Sequence, residues 1–216
     1  MVLVTSGAVA VGINKAGLSE RPTDLRLKQA LAAVGQCELM YLYDKLFSEY
    51  NNTVAQILLT RDVVEDPIRK QNTMQTFEKL FSLGIIPIIN ENDTVSTEEL
   101  EFGDNDTLSA MVAELIGADL LVILSDIEGL YDADPRNNKQ AKLIHTVENI
   151  TPEIEDLAGG AGSDCGTGGM ITKISAGKIA TAAGINMFIV TSENPSLLYD
   201  ILDGKQVGTL FVANKR

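Results

Sequence analysis

Histidine, cysteine and tryptophan are scarce in this sequence. Among 216 residues there is one histidine, His145, there are two cysteines, Cys37 and Cys165, and there is no tryptophan. The two cysteines are far apart and form no C-x-x-C pair, so we expect both to be ordinary reduced residues. A zinc site or a histidine-based catalytic triad needs more ligands than these residues supply, and we assign no metal-ligating residue.

Basic residues are outnumbered throughout the chain. It holds 17 Lys and Arg against 30 Asp and Glu, a formal net charge of −13. Contacts to phosphates dominate nucleic-acid affinity, and anionic membranes likewise attract clustered basic residues. Because no such cluster is visible, the sequence argues against nucleic acid or a membrane as partner. A small anion held by backbone amides stays compatible with this charge.

Long apolar runs are also missing. No stretch approaches the roughly 20 residues of a membrane-spanning helix, and the start "MVLVTSGAVA" has no basic segment or cleavage site of a signal peptide. We therefore expect a cytoplasmic protein. With 45% hydrophobic residues, the chain is long enough to bury the core of a single α/β domain spanning residues 1–216.

Apolar strand patterns alternate with helical patterns along the chain. We predict strands at 2–5, 53–60, 85–90, 119–125 and 185–190 and around "GTLFV". Helices are predicted after the first strand and at 23–50, 67–84, 104–116, 151–158, 170–183 and 195–202. The apolar face predicted for helix 23–50 consists of Leu25, Ala30, Leu31, Val34, Leu39, Leu42, Leu46 and Phe47.

This alternation indicates a three-layer α/β/α sandwich with a mostly parallel central sheet. In such sheets ligands bind beyond the carboxyl ends of the strands, and polar residues follow four of the predicted strands. After the first strand, Ser6, Gly7 and Ala8 would let a ligand approach free amides at a helix start. The alternative is an ordinary turn in which Ser6 caps the helix.

The second polar stretch is "INENDTV", with Asn90, Asn92 and Asp93 just past an apolar strand. Between Glu91 and Asp106 the chain has seven acidic residues and no basic one. This segment is either a solvated loop or a lid that holds an ammonium group, whose natural acceptors are carboxylate and amide oxygens.

The third stretch, "GDNDTLSA", places Asp104, Asn105 and Asp106 together at a helix start. One such side chain accounts for an N-cap, and the other two are either redundant capping groups or ligand contacts.

The fourth polar site combines "SDIEGLYDADPR" with "GTGGMITK". Gly166, Gly168 and Gly169 precede a helix that carries Lys173 in its first turns, an arrangement that can cradle a polyphosphate. The spacing is not that of a Walker A loop, and a flexible loop before a helix is the alternative.

Five segments taken in order resemble the amino-acid kinase family: "LVTSGAVA", "LLTRDVVED", "PIINENDTVST", "FGDNDTLSA" and "LSDIEGLYDADPR…GTGGMITK". The last is shared across the family and implies fold and nucleotide use. "INENDTV" with "GDND" is more specific and resembles the members that phosphorylate the γ-carboxylate of L-glutamate, the first step of proline synthesis. That reaction transfers the γ-phosphoryl group of ATP in line to a carboxylate, which needs no general base.

The resemblance implies a role for each matching residue. Those expected in the glutamate pocket are Ser6, Asp93 and Asn105, with Asn90 and Asp104 lining it. Those expected to hold ATP are Ser125, Asp126, Thr167, Gly168, Gly169, Met170, Ile171, Thr172 and Lys173. Lys173 would stabilise charge on the transferring group, Mg²⁺ would bridge phosphate oxygens, and Asp106 would orient the lysines.

The sequence departs from the family pattern at its start. Family members begin with a strand and a "K-x-G" turn whose lysine contacts the transferring phosphate, and nothing here matches it. We therefore expect an N-terminally incomplete kinase that is inactive or nearly so, since one oriented donor is worth about 10²–10³ in rate. The C-terminal RNA-modification-type domain of many relatives is likewise not matched. Proline feedback inhibition and a homodimer or homotetramer are further family traits.

Two alternatives stay open. The chain could be a kinase of the same fold for another substrate, such as aspartate, N-acetylglutamate or a nucleoside monophosphate, although the last would want a basic cluster that the acidic segment lacks. It could instead be a non-catalytic sensor that binds an amino acid and regulates a partner. Binding of ATP with Mg²⁺ discriminates between kinase and sensor.

Overall fold

The structure, a computed structural model, describes residues 1–95, 104–159 and 169–214. The chain divides into two compact units, Met1–Asn105 and Asp106–Arg216. The sequence predicts one central sheet, and the described strands are hydrogen-bonded as two sheets, one in each unit. Most strand pairs are parallel, so the prediction of a mostly parallel α/β fold is confirmed.

The first unit contains a three-stranded parallel sheet in the order β1-β3-β2. Its strands are β1 (Leu3–Val4), β2 (Val54–Leu59) and β3 (Ile86–Glu91). Its helices are α1 (Ala8–Lys15), α2 (Leu25–Ser48), α3 (Arg61–Glu65) and α4 (Pro67–Ser82). The central strand β3 is the best buried, with Ile88 and Ile89 fully enclosed.

Side-chain caps start the two long helices of this unit. The Asp24 carboxylate accepts a hydrogen bond from the Leu27 amide at 2.9 Å at the start of α2. At the start of α4 the Asp66 carboxylate accepts from the Arg69 amide at 2.8 Å, and Pro67 occupies the first turn as predicted. Both caps satisfy amides that have no partner within the helix.

Two glycines allow α1 and α2 to touch through their backbones. A Cβ on Gly12 would lie 2.0 Å from the Leu31 carbonyl oxygen, and one on Gly35 would lie 1.8 Å from the Ala8 carbonyl oxygen. No side chain fits at either position. The contact places the first turn of α1 directly against α2.

The predicted apolar face of α2 is wrong in most of its members. Leu31 is the only one of the eight that is buried, and the buried side of the helix consists of Leu31, Ala32, Gly35 and Gln36. Val34 and Leu42 are each 42% exposed and Leu46 is 56% exposed. The close contact with α1 requires glycine at position 35, and the buried side also holds the polar Gln36, so hydrophobicity alone does not mark the inner face.

The second unit contains a four-stranded sheet in the order β4-β6-β7-β5. Its strands are β4 (Leu120–Ser125), β5 (Thr146–Val147), β6 (Asn186–Thr191) and β7 (Thr209–Phe211). Its helices are α5 (Asn105–Ile116), which begins at the unit boundary, α6 (Pro152–Gly159), α7 (Met170–Ala182) and α8 (Leu197–Leu202). One apolar core joins helix α7 to the sheet, including Ile174, Ala180, Met187, Ile189 and Phe211.

Three features of the fold were not predicted. α3 has five residues and β5 has two, which is too short for hydrophobic periodicity to reveal. β7 runs antiparallel to β6, a direction that an apolar strand pattern does not encode.

Within the described residues, no helix is long and apolar enough to cross a membrane.

Candidate active site

The turn after β1 exposes Ser6 at the start of α1. Gly7 precedes the helix with φ 92°, a left-handed conformation that favours glycine, and no side chain caps the helix. The interpretation of Ser6 as the N-cap is therefore wrong. The first amides of α1 are left without a side-chain acceptor beside the Ser6 hydroxyl, a setting suited to an anionic group.

Asn90 and Asn105 meet in the first unit beside the end of β1. Asn90 is 2% exposed, and its Oδ1 accepts from Asn105 Nδ2 at 3.0 Å and from the Glu91 amide at 2.9 Å. Asn105 Nδ2 also donates to the Thr5 carbonyl oxygen, one residue before Ser6. Asn90 and Asn105, both assigned to the glutamate pocket, are thus in direct contact. Ser6, also assigned to this pocket, follows Thr5, whose carbonyl oxygen accepts from Asn105.

The other two residues assigned to this pocket flank the same elements. Asp93 lies in the turn that follows β3, and Asp104 immediately precedes α5; both are partly buried. The Asn105 side chain donates to the Thr5 carbonyl oxygen, and the Asp106 carboxylate accepts from the Thr172 hydroxyl.

In the second unit, Lys173 is a buried cation paired with Asp106. Lys173 is 7% exposed, and its Nζ lies 3.1 Å from Asp106 Oδ2. The Thr172 hydroxyl lies 2.8 Å from the same oxygen and 2.7 Å from the Gly169 carbonyl oxygen. The carboxylate therefore sets the position of the lysine at the start of α7, whose N-cap residue Gly169 offers no side chain to its first amides.

Strand β4 ends at Ser125, as predicted, and Asp126 follows it directly. Ser125 is 5% exposed, and its hydroxyl donates to Asp126 Oδ1 at 3.2 Å. The exposed carboxylate of Asp126 lies 3.7 Å from Arg136 Nη2 in the "DPR" turn. Asp134 holds that turn by accepting from the Arg136 amide at 2.9 Å.

Tyr131 carries a strongly shifted ionisation in the same segment. Its hydroxyl donates to the Glu128 carboxylate at 2.6 Å. This hydrogen bond, with smaller contributions from burial and the negative charge of Glu128, raises the pKa of Tyr131 to about 12. The phenol is therefore a neutral donor at physiological pH.

The remaining residues assigned to the nucleotide differ in their surroundings. Met170 is buried in the core and Ile171 is 58% exposed, so the two side chains point to different surroundings. Thr167 and Gly168 lie outside the described residues. The part of segment 91–103 that follows residue 95 also lies outside them.

Gln36 was missed by sequence reasoning. It lies on the buried side of α2, is 6% exposed, and its Oε1 accepts from Asn90 Nδ2 at 2.9 Å. A signal was present, because a glutamine among small and apolar helix positions needs a buried partner.

The family model for the amino acid kinase family matches residues 1–191. The chain is 56% identical over 219 residues to the glutamate 5-kinase of Clostridium perfringens, covering 100% of this chain and 81% of that protein. It is 53% identical over 220 residues to the glutamate 5-kinase of Listeria welshimeri, covering 100% of this chain and 79% of that protein.

Two solved structures share the fold at low sequence identity. Carbamate kinase from Giardia lamblia bound to AMP-PNP matches with a TM-score of 0.65 at 18% identity, covering 99% of this chain and 83% of that one. Uridylate kinase from Archaeoglobus fulgidus matches with a TM-score of 0.61 at 15% identity, covering 98% of this chain and 84% of that one. At these identities the likeness concerns the fold alone.

Proposed function

Because the chain belongs to the amino acid kinase family, we propose that it phosphorylates the γ-carboxylate of L-glutamate with ATP, giving γ-glutamyl phosphate for proline biosynthesis. The observation that carries this proposal is the similarity to glutamate 5-kinases over the whole length of the chain. The low-identity structures support only the fold.

The substrate side of the proposal lies in the first unit. Ser6 and the uncapped start of α1 offer donors for a carboxylate of glutamate. Asn105, held by Asn90, offers an amide group at the start of α5. Asp93 and Asp104 supply the negative charge that an ammonium group requires.

The nucleotide side lies in the second unit. We propose that ATP is held by Ser125, Asp126 and the segment from Thr167 to Lys173. Within this segment, Gly169 is the N-cap residue of helix α7. A γ-carboxylate oxygen attacks the γ-phosphorus, and the bond to the β–γ bridging oxygen breaks, so that ADP leaves. Lys173 stabilises the negative charge on the transferring group. Asp106 orients this lysine through the 3.1 Å contact and accepts no proton in the step.

Mg²⁺ is proposed as the metal of the reaction, where it would shield charge on the phosphates. Among the described residues, no three His, Cys, Asp or Glu side chains are grouped to hold a metal ion. This fits an ion held chiefly by phosphate oxygens of the nucleotide, as is common for Mg²⁺, rather than by a protein cage.

Three further properties belong to the proposal. We propose that proline inhibits the enzyme at the acidic segment 91–103, that the protein is cytoplasmic, and that it forms a homodimer or homotetramer. The oligomer is supported by exposed apolar residues at seven-residue spacing along α2: Leu27 at 42%, Val34 at 42% and Tyr41 at 59% exposure. Such a stripe is typical of a helix that packs against a second helix.

Binding and turnover together test the function. Calorimetry should show saturable binding of L-glutamate and of ATP with Mg²⁺. Hydroxylamine added to the full reaction should trap γ-glutamyl phosphate as the hydroxamate, and Lys173→Met should abolish trapping. Glu65→Gln, in an exposed ion pair on α3, is the matched control.

Different failures point to different conclusions. Binding of L-aspartate or a nucleoside monophosphate in preference to L-glutamate would replace the substrate. Binding of amino acid with no binding of ATP would support the regulatory alternative and end the kinase proposal.

A further inference from the structure

Four side-chain amides form a continuous chain of hydrogen bonds in the first unit. We call this chain the amide relay, and its members are Gln56, Gln36, Asn90 and Asn105. Gln36 Nε2 donates to Gln56 Oε1 at 3.2 Å, Asn90 Nδ2 donates to Gln36 Oε1 at 2.9 Å, and Asn105 Nδ2 donates to Asn90 Oδ1 at 3.0 Å. The relay runs from exposed Gln56 on β2 through two buried members to Asn105.

The direction of the relay is set by two backbone groups. An amide side chain can be turned over in principle, since its oxygen and nitrogen have the same shape. Here the Thr5 carbonyl oxygen can only accept, so the group of Asn105 that faces it must be the nitrogen. The Glu91 amide can only donate, so the group of Asn90 that faces it must be the oxygen.

These two constraints determine every other orientation. The nitrogen of Asn90 must then point to the opposite side, where it meets Gln36 Oε1. Gln36 is 6% exposed and Asn90 is 2% exposed, so water cannot replace this contact readily. Loss of the Gln36 acceptor would leave the buried Asn90 nitrogen without a partner, so Asn90 would shift toward another acceptor and hold Asn105 Nδ2 less firmly.

Asn105 is left with one hydrogen-bonding group for a ligand. Both hydrogens of its nitrogen are used, by the Thr5 carbonyl and by Asn90. Its Oδ1 accepts from no donor among the described residues. An oxygen acceptor suits an ammonium group and disfavours a carboxylate.

We infer that Gln36 is a positioning residue that holds Asn105 with its amide oxygen toward the ammonium group of the amino-acid substrate. This inference rests on the proposed function and adds to it the origin of the preference for an amino acid over a plain dicarboxylate. Gln36 itself does not touch the substrate.

Glutarate is the decisive probe, because it is the same five-carbon dicarboxylate without the ammonium group. Calorimetry on the full chain measures the Kd of L-glutamate, of glutarate and of ATP with Mg²⁺. The wild-type chain should bind L-glutamate more tightly than glutarate. Gln36→Met, similar in shape but without an acceptor, should raise the Kd of L-glutamate about ten- to a hundredfold and leave the Kd values of glutarate and ATP within about threefold.

Two variants serve as controls. Gln36→Glu keeps an oxygen acceptor for Asn90 Nδ2 and should retain the preference for L-glutamate. Gln75→Met, on the exposed side of α4, should change none of the three affinities. Circular dichroism checks the fold, and Gln36→Ala replaces Gln36→Met if the latter does not fold.

The outcomes separate the inference from the proposed function. Wild-type chain that binds ATP but no L-glutamate refutes the proposed substrate, and the inference with it. A wild-type preference for L-glutamate that persists in Gln36→Met overturns the inference alone. Equal weakening of L-glutamate, glutarate and ATP in that variant also overturns it, because it would show a general structural role for Gln36.

Discussion

Lys173 and Asp106 form an ion pair whose surroundings differ from those of the surface pairs. The side chains are 9% and 19% exposed, against 53% and 64% for Arg61 and Glu65 on α3. Exposed pairs contribute little because water and salt screen both charges. Removing one partner of a buried pair instead leaves the other charge unpaired and away from water, which destabilises the folded state.

We therefore expect Asp106→Ala to lower the free energy of unfolding by about 3–5 kcal/mol. The matched change in the exposed pair, Glu65→Ala, should cost less than about 1 kcal/mol. Urea denaturation at neutral pH measures both variants. Equal small losses would show that Lys173 is solvated rather than held by Asp106.

Tyr131 gives a prediction about alkaline pH. Its folded-state pKa is about 12, raised from 10.0 chiefly by the hydrogen bond to Glu128. The neutral phenol is thus favoured in the folded chain, so its contribution to stability is full below pH 10 and is lost as the pH rises through 12.

Glu128→Gln should bring the pKa of Tyr131 back toward 10.0. Ultraviolet titration of tyrosinate measures it, with Tyr131→Phe in each background to isolate this residue from the other tyrosines. An unchanged pKa in Glu128→Gln would exclude the carboxylate as the cause.

At the scale of elements, the contact between α1 and α2 depends on glycine. In an exposed helix interior, Gly→Ala stabilises by roughly 0.5–1 kcal/mol through backbone entropy. At Gly35 the added Cβ would instead stand 1.8 Å from the Ala8 carbonyl oxygen. At Gly35 this steric overlap outweighs the gain in backbone entropy, because the obstructing atom belongs to the backbone and cannot rotate away.

Gly35→Ala should accordingly destabilise the chain by about 1–3 kcal/mol, as overpacking does. It should also weaken L-glutamate binding, because α1 must shift at the turn that carries Ser6. Ala33→Gly on the exposed side of α2 is the control and should cost only about 0.5–1 kcal/mol. A gain in melting temperature for Gly35→Ala would refute the close contact.

At the scale of the whole molecule, an exposed apolar stripe stands out against a net charge of −13. The long-range repulsion between such acidic chains must be outweighed if copies are to associate. Apolar burial along α2 is one source of that energy, and salt weakens the repulsion.

Val34→Glu should convert the proposed oligomer to a monomer, since it places a charge in the middle of the stripe. Light scattering at micromolar concentration measures the mass. Leu202→Glu, at a residue 76% exposed on α8, is the control and should leave the mass unchanged. A wild-type chain that is already monomeric would contradict the proposal.

The order and type of the long elements were predicted from hydrophobic periodicity, and the structure confirms them. Strands such as Leu120–Ser125 and helices such as Pro67–Ser82 lie where the pattern placed them. Local signals sufficed here, because Asp66 as N-cap and Pro67 in the first turn both favour a helix start. The polar residues that follow the strands were also visible in the sequence, because they interrupt its apolar pattern.

The sequence by itself determined the α/β class, the family and the polar strand ends that we propose as binding places for a substrate and a nucleotide, because these follow from local patterns and motifs. Only the tertiary structure decided that Gln36 reaches Asn90, that Gly7 rather than Ser6 precedes α1, and that α2 buries Gly35 and Gln36 while exposing Val34. Such features depend on contacts between residues far apart in the chain. Gln36 and Asn90 are 54 positions apart, and no local pattern encodes which distant groups will meet.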